Sequence, residues 1–172
     1  QLDNGRLVFE NSYKAKSVVL SGETAIKGIK TLKGRDMKDN ESFKFKLSAA
    51  DENTEKAIND KSVIIPEDSA AVVNAKNSQP AGFSFENIEF SKVGTYVFNI
   101  EEIDIPNEDG NGMTYDRNTD TVEVIVRDNN GQLEAEVVYN DGSTQQAEFV
   151  NEYKASISYG DVGGLKVSKK LT

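Results

Sequence analysis

Cysteine, histidine and tryptophan are absent from the 172-residue chain, and proline occurs only three times. Without cysteine there is no disulfide scaffold, no thiol nucleophile and no thiolate-bound zinc or iron–sulfur site. Without histidine the usual neutral-pH base and the commonest metal ligand are missing, which excludes a Ser-His-Asp or His–metal enzyme. Acidic residues outnumber basic ones, 29 to 20. A net charge of −9 argues against binding a nucleic-acid backbone or an anionic bilayer surface. No apolar run approaches membrane-crossing length, so no membrane insertion of this segment is expected. The first residues lack a signal-peptide pattern, which carries no weight if the chain is a piece of a longer array. No motif calls for a cofactor or a metal. What is present suffices for a core: 37% hydrophobic residues is too many for a disordered chain.

Those residues fall at period two. Phe43, Phe45 and Leu47 share one strand face, as do Phe83 and Phe85, then Tyr96, Phe98 and Ile100. Val122, Val124 and Val126 run into the turn Asp128-Asn129-Asn130-Gly131, and Leu133, Ala135, Val137 and Tyr139 follow it. Ala147, Phe149 and Tyr153 close the series. Many short strands joined by hairpin turns predict an all-β fold, an antiparallel Ig-like (Greek-key) β-sandwich. No stretch carries a strong helical stripe; Asp51 to Lys61 reads equally as a short helix or a loop.

The chain also repeats itself. Phe9-Glu10-Asn11-Ser12-Tyr13-Lys14-Ala15 returns as Phe149-Val150-Asn151-Glu152-Tyr153-Lys154-Ala155, about 140 residues later. Ile26-x-x-x-Lys30-x-Leu32 returns as Leu165-x-x-x-Lys169-x-Leu171 at nearly the same offset. Two matches at one spacing predict a tandem array. Residues 1–15 are then the last strand of a preceding repeat, 16–157 a complete module, and 158–172 a linker and first strand of a following repeat.

Strand parity places three polar residues on apolar faces. Glu102 continues the face of Tyr96, Phe98 and Ile100, Asn151 that of Phe149 and Tyr153, and Lys30 that of Leu32. An isolated buried Lys or Glu neutralises or finds a partner, so three of them aimed at one core are expected to meet. One reading is a buried Lys–Glu ion pair with Asn as a hydrogen-bonding neighbour. A bulge would flip register and make Lys27 or Lys33 the inward lysine instead. The other reading is chemical. Desolvation lowers the Lys30 pKa to give a nucleophilic amine, and raises that of Glu102 so that its acid form hydrogen-bonds the Asn151 carbonyl. Attack on the amide would then join Lys30 to Asn151, with Glu102 relaying a proton to the departing ammonia.

Several motifs together resemble a known family. They are Lys30-x-Leu32-x-Gly34-Arg35, Phe43-x-Phe45, Gly94-Thr95-Tyr96-Val97-Phe98-Asn99-Ile100-Glu101-Glu102, Gly112-Met113-Thr114-Tyr115-Asp116, the valines 122–126, and Phe149-x-Asn151-x-Tyr153. In this order they resemble the isopeptide-linkage domains of streptococcal major pilins and related Gram-positive surface proteins. The resemblance implies an intramolecular Lys30–Asn151 isopeptide bond with Glu102 as its catalyst. It implies that Asn11 and Lys169 are cross-link residues orphaned from neighbouring repeats. It further implies an extracellular, cell-wall location, structural work with single-turnover autocatalysis only, and neighbouring modules of the same chain as partners. One departure bears on the type of protein. Pilin shaft subunits carry a Pro-Lys motif for polymerisation, whereas Pro66, Pro80 and Pro106 precede Glu, Ala and Asn. The expectation is a stalk repeat of a cell-wall-anchored adhesin.

Other functions have a claim. Glu101, Glu102 and Asp104 form a carboxylate cluster, but adjacent strand residues face opposite ways and cannot flank one sugar. Asp104 to Gly112 and Asp116-x-Asn118-x-Asp120 are oxygen-rich, yet Thr121 and Arg127 stand where a calcium loop of the EF-hand type needs Gly and Glu. An ester cross-link could use Thr24 or Thr31 with Gln145 or Gln146. From a different class, an adhesive domain would bind a host protein or glycan through exposed loops such as 51–80.

Overall fold

A computed structural model describes residues 2–3, 6–7, 13–106, 109–139 and 146–155. Asn11, Lys169 and the whole of 158–172 lie outside the described residues. Strands β1 (Leu2–Asp3) and β2 (Arg6–Leu7) pair with each other. The rest builds a sandwich from two main sheets and a small third one.

The larger sheet is centred on β10 (Gly94–Ile103). On one side it pairs with β12 (Thr119–Asn129), which continues through the Asn130-Gly131 turn into β13 (Gln132–Tyr139). Both turn residues take positive φ, +52° and +94°, as a tight hairpin with the strands' own twist requires. On its other side β10 pairs with β5 (Phe43–Ala49), which carries the edge strand β7 (Ser69–Val72). The facing sheet has β4 (Ile26–Lys33) between β8 (Ala81–Phe85) and β14 (Ala147–Tyr153), with β11 (Met113–Thr114) beyond β14. The third sheet joins β3 (Val18–Leu20), β9 (Ile88–Phe90) and β6 (Val63–Ile64).

Pairing is antiparallel as expected, with one exception among these strands: β4 and β14 run parallel, Lys30 beside Phe149 and Leu32 beside Asn151. A parallel pair needs a long crossover, and here the whole intervening domain supplies it. The first and last strands of the two main sheets thereby become neighbours.

Residues 51–80, expected to offer exposed loops with a short helix or a loop over 51–61, contain a helix and several buried side chains. Glu52–Asn59 forms helix α1, capped by the Asp51 side chain, which accepts a hydrogen bond from Thr54 N at 2.7 Å. Glu52 and Glu55 lie in its first turn, where carboxylates favour the positive end of the helix dipole. The helix buries only Thr54 and Ala57, a face too narrow to show as a stripe. Thr54 Oγ1 accepts from Val97 N at 2.8 Å, tying α1 to β10. Val63, Val72 and Ala75 from the same stretch are buried in the core.

Aromatic rings hold the sheets together. Phe45 of β5 stacks on Phe83 of β8 at 3.9 Å between centroids, and lies 5.1 Å from Phe149 of β14. Burial of each such side chain contributes about 1.5–3 kcal/mol. The Phe83 ring lies against Gly28 of β4, where any Cβ would run into it. Gly28→Ala should therefore displace Phe83 and cost about 1–3 kcal/mol through overpacking. A thermal melt indistinguishable from that of the parent chain would contradict this reading of the inter-sheet stack.

Candidate functional site

Three strands each deliver one polar side chain into the sandwich. Burial alternates along β4, and the inward set is Ile26, Gly28, Lys30 and Leu32. Along β10 it is Tyr96, Phe98, Ile100 and Glu102, and along β14 Ala147, Phe149 and Asn151. Lys30 and Asn151 are wholly buried and Glu102 is only 6% exposed. Lys30 and Asn151 come from adjacent parallel strands of one sheet, and Glu102 reaches them from the other.

The three meet. Lys30 Nζ donates to Glu102 Oε2 at 2.5 Å, and Asn151 Nδ2 donates to Glu102 Oε1 at 2.8 Å. One carboxyl group thus bridges the amine and the amide nitrogen. The Phe43 ring lies below the amine, 4.9 Å from its centroid. The expected hydrogen bond from Glu102 to the Asn151 carbonyl is not formed, because that oxygen faces elsewhere: it accepts from Asp116 N at 2.7 Å. A backbone N–H can only donate, so the atom facing Asp116 must be Oδ1 and the atom facing Glu102 must be Nδ2.

Burial sets the electrostatics. Desolvation is the main influence on both charged partners, lowering the Lys30 pKa and raising that of Glu102. Their mutual attraction opposes both shifts without reversing them. Each buried ion costs several kcal/mol of lost hydration, so the pair is driven toward the neutral amine and neutral acid. Asp116 adds its negative charge nearby and also favours the protonated form of Glu102.

The remaining candidates are placed elsewhere. Lys27 is half-buried with its Nζ bonded to Glu23 O, and Lys33 is exposed. Thr24 and Gln146 are exposed, and Gln145 lies outside the described residues. Glu101 points outward and accepts from Thr119 Oγ1, while Asp104 pairs with Lys44 at 2.7 Å.

The oxygen-rich loop after β11 has a role that sequence reasoning missed. Asp116 Oδ2 accepts from Val150 N at 2.8 Å, and Asp120 Oδ2 accepts from Glu148 N at 2.9 Å. β11 pairs only with Glu152 and Tyr153, so these two carboxylates occupy the outer edge of β14 upstream of that pairing. The available signal was the alternate spacing of acidic residues ahead of a strand, which alone does not say which strand they serve.

Residues 26–154 match the family model FctA, the Spy0128-like isopeptide containing domain. This chain belongs to that family. Among solved structures, the major pilin of Streptococcus pyogenes is similar at 23% identity with a TM-score of 0.54, covering 74% of this chain and 50% of the pilin chain. A mutant of the same pilin is similar at 22% identity and the same TM-score. This chain spans half the length of those pilin chains, and the likeness is one of fold. No curated protein matches. The chain is thus a pilin-type isopeptide domain, all-β and structural rather than enzymatic.

Lys30→Met would leave the domain's Glu102 buried without its cation. A raised carboxyl pKa means the folded chain holds a proton that the unfolded chain has released, so stability is full below the ordinary value of 4.5 and falls as pH rises above it. Chemical denaturation of Lys30→Met across that range should show the decline, and Lys30→Met with Glu102→Gln should remove it. A flat profile in Lys30→Met would contradict the raised carboxyl.

Proposed function

We propose that this domain is a stalk or shaft module of a Gram-positive surface adhesin or pilus, locked by an autocatalytic Lys30–Asn151 isopeptide bond that Glu102 promotes. The observation that carries the reading is the buried bridge in which Glu102 holds the Lys30 amine with one oxygen and the Asn151 amide nitrogen with the other. That is the arrangement a proton shuttle needs. The neutral amine attacks Cγ of Asn151, forming the new C–N bond. Glu102 gives its proton to Nδ2 and takes one from the attacking Nζ, and the Cγ–Nδ2 bond breaks to release ammonia. Glu102 ends protonated, as it began. Holding the groups together in the folded core replaces an encounter from solution, an advantage worth about 7–11 kcal/mol of barrier when the geometry is right.

The parallel pairing of β4 and β14 gives the bond its use. Load entering before β4 and leaving after β14 pulls the two strands in opposite directions and shears the hydrogen bonds between them. A covalent link between Lys30 and Asn151 carries that load directly and bypasses the residues in between. Reductants cannot open it, in contrast to a disulfide. In the array that the sequence repeat suggests, residues 1–15 and 158–172 belong to adjoining modules, which are the domain's partners. Asn11 and Lys169 then wait for partners those modules supply. The missing Pro-Lys motif favours a single-chain adhesin stalk over a polymerised shaft.

The chain should weigh one ammonia less than its sequence, with Lys30 and Asn151 in one branched tryptic fragment. Glu102→Ala should restore the full mass. The bond closes a loop of about 120 residues, worth roughly 4–5 kcal/mol by the chain-entropy argument. Lys30→Ala should accordingly melt roughly 10–20 °C lower in a domain of this size. The full sequence mass in the unsubstituted chain would overturn the proposal.

A further inference from the structure

We propose that the backbone N–H of Asp116 is the oxyanion donor for the Lys30–Asn151 reaction, and that the Asp116 carboxylate is the clamp that keeps it aimed. The inference rests on the isopeptide reading above and adds a part that the Lys–Glu–Asn trio lacks. When Nζ attacks Cγ, the π electrons of the carbonyl move onto Oδ1, and negative charge builds there until the C=O bond re-forms as ammonia leaves. Glu102 cannot answer that charge, because both of its oxygens face nitrogens. The group at Oδ1 is Asp116 N, at 2.7 Å. A fixed donor aimed at a developing oxyanion in a water-poor interior is worth far more than the same bond in water.

The clamp is built around this N–H. Asp116 Oδ2 accepts from Val150 N at 2.8 Å, the residue preceding Asn151. Its Oδ1 accepts from Asn118 N at 3.0 Å, closing the turn that carries Asp116. Upstream, Lys154 N donates to Gly112 O at 2.8 Å, and downstream Asp120 holds Glu148 N. Segment 112–120 is therefore fastened to β14 on both sides of Asn151. The carboxylate side chain is a positioning element; the N–H touches the reacting group.

The test separates the N–H from the side chain. Cell-free synthesis with the α-hydroxy analogue of aspartate at position 116 replaces that N–H by an ester oxygen and leaves the side chain unchanged. Ammonia loss is followed by intact mass after denaturant quenching, on chains whose folding is checked by circular dichroism. The ester chain should cross-link about 10²–10³-fold more slowly than the parent. Asp116→Asn keeps the N–H and one of the two side-chain oxygens, so it can hold either Val150 N or Asn118 N but not both, and should slow the reaction less than loss of the whole side chain. Asp116→Ala keeps the N–H but loses the clamp, and should fall between them. If the ester chain does not fold, the split between Asp116→Asn and Asp116→Ala decides. Parental rates in the ester chain, or in Asp116→Ala where the ester chain is unfolded, would overturn the inference. A parent chain that loses no ammonia sinks the isopeptide reading itself, a distinct outcome.

Discussion

A single carboxyl group, Glu102, spans the space between the two sheets and holds an amine with one oxygen and an amide with the other. Much of the molecule can be understood as what is needed to put it there. β10 must run without a bulge from Tyr96 to Glu102 so that the fourth inward position falls opposite β4 and β14. Those strands must be neighbours, in the register that sets Lys30 beside Phe149 and Asn151 beside Leu32. The phenylalanines 43, 45, 83 and 149 around them keep water out and set the sheet spacing. Water exclusion is what pushes the pair toward its neutral forms: the same lysine and glutamate on the surface would both be charged.

An uncross-linked form of such a core would be a poor bargain. Burying an ion pair in an apolar sandwich returns little stability, and hydrophobic residues of similar size often do better. The proposed cross-link gives the three polar groups in this otherwise apolar interface a role beyond that of a structural network. The parallel pairing of β4 and β14 points the same way, since it brings together the two strands that a pull on the ends would separate.

The core of this account was legible because period-two patterning is rigid. On strands without bulges, parity fixes which side chains face inward, so Lys30, Glu102 and Asn151 could be found by counting. Parity does not fix which way a side-chain amide turns, and Asn151 turned its nitrogen to Glu102 because a backbone donor took its oxygen. That donor belongs to a loop lying along the edge of β14, a long-range contact with no local signature. Helix α1 was only half legible, for a different reason. Its stability comes from the Asp51 cap and from Thr54 bonding to β10, not from an apolar stripe. Hairpin signals speak only for strands adjacent in sequence, so the patterning itself gave no sign that β4 and β14 run parallel.

A crystal structure of the chain at high resolution tests the central claim most directly. The account predicts continuous density from Lys30 Nζ to Asn151 Cγ at bonding distance, with planar amide geometry and no Nδ2 atom. Density that ends separately on an intact asparagine amide and a free lysine amine would contradict it.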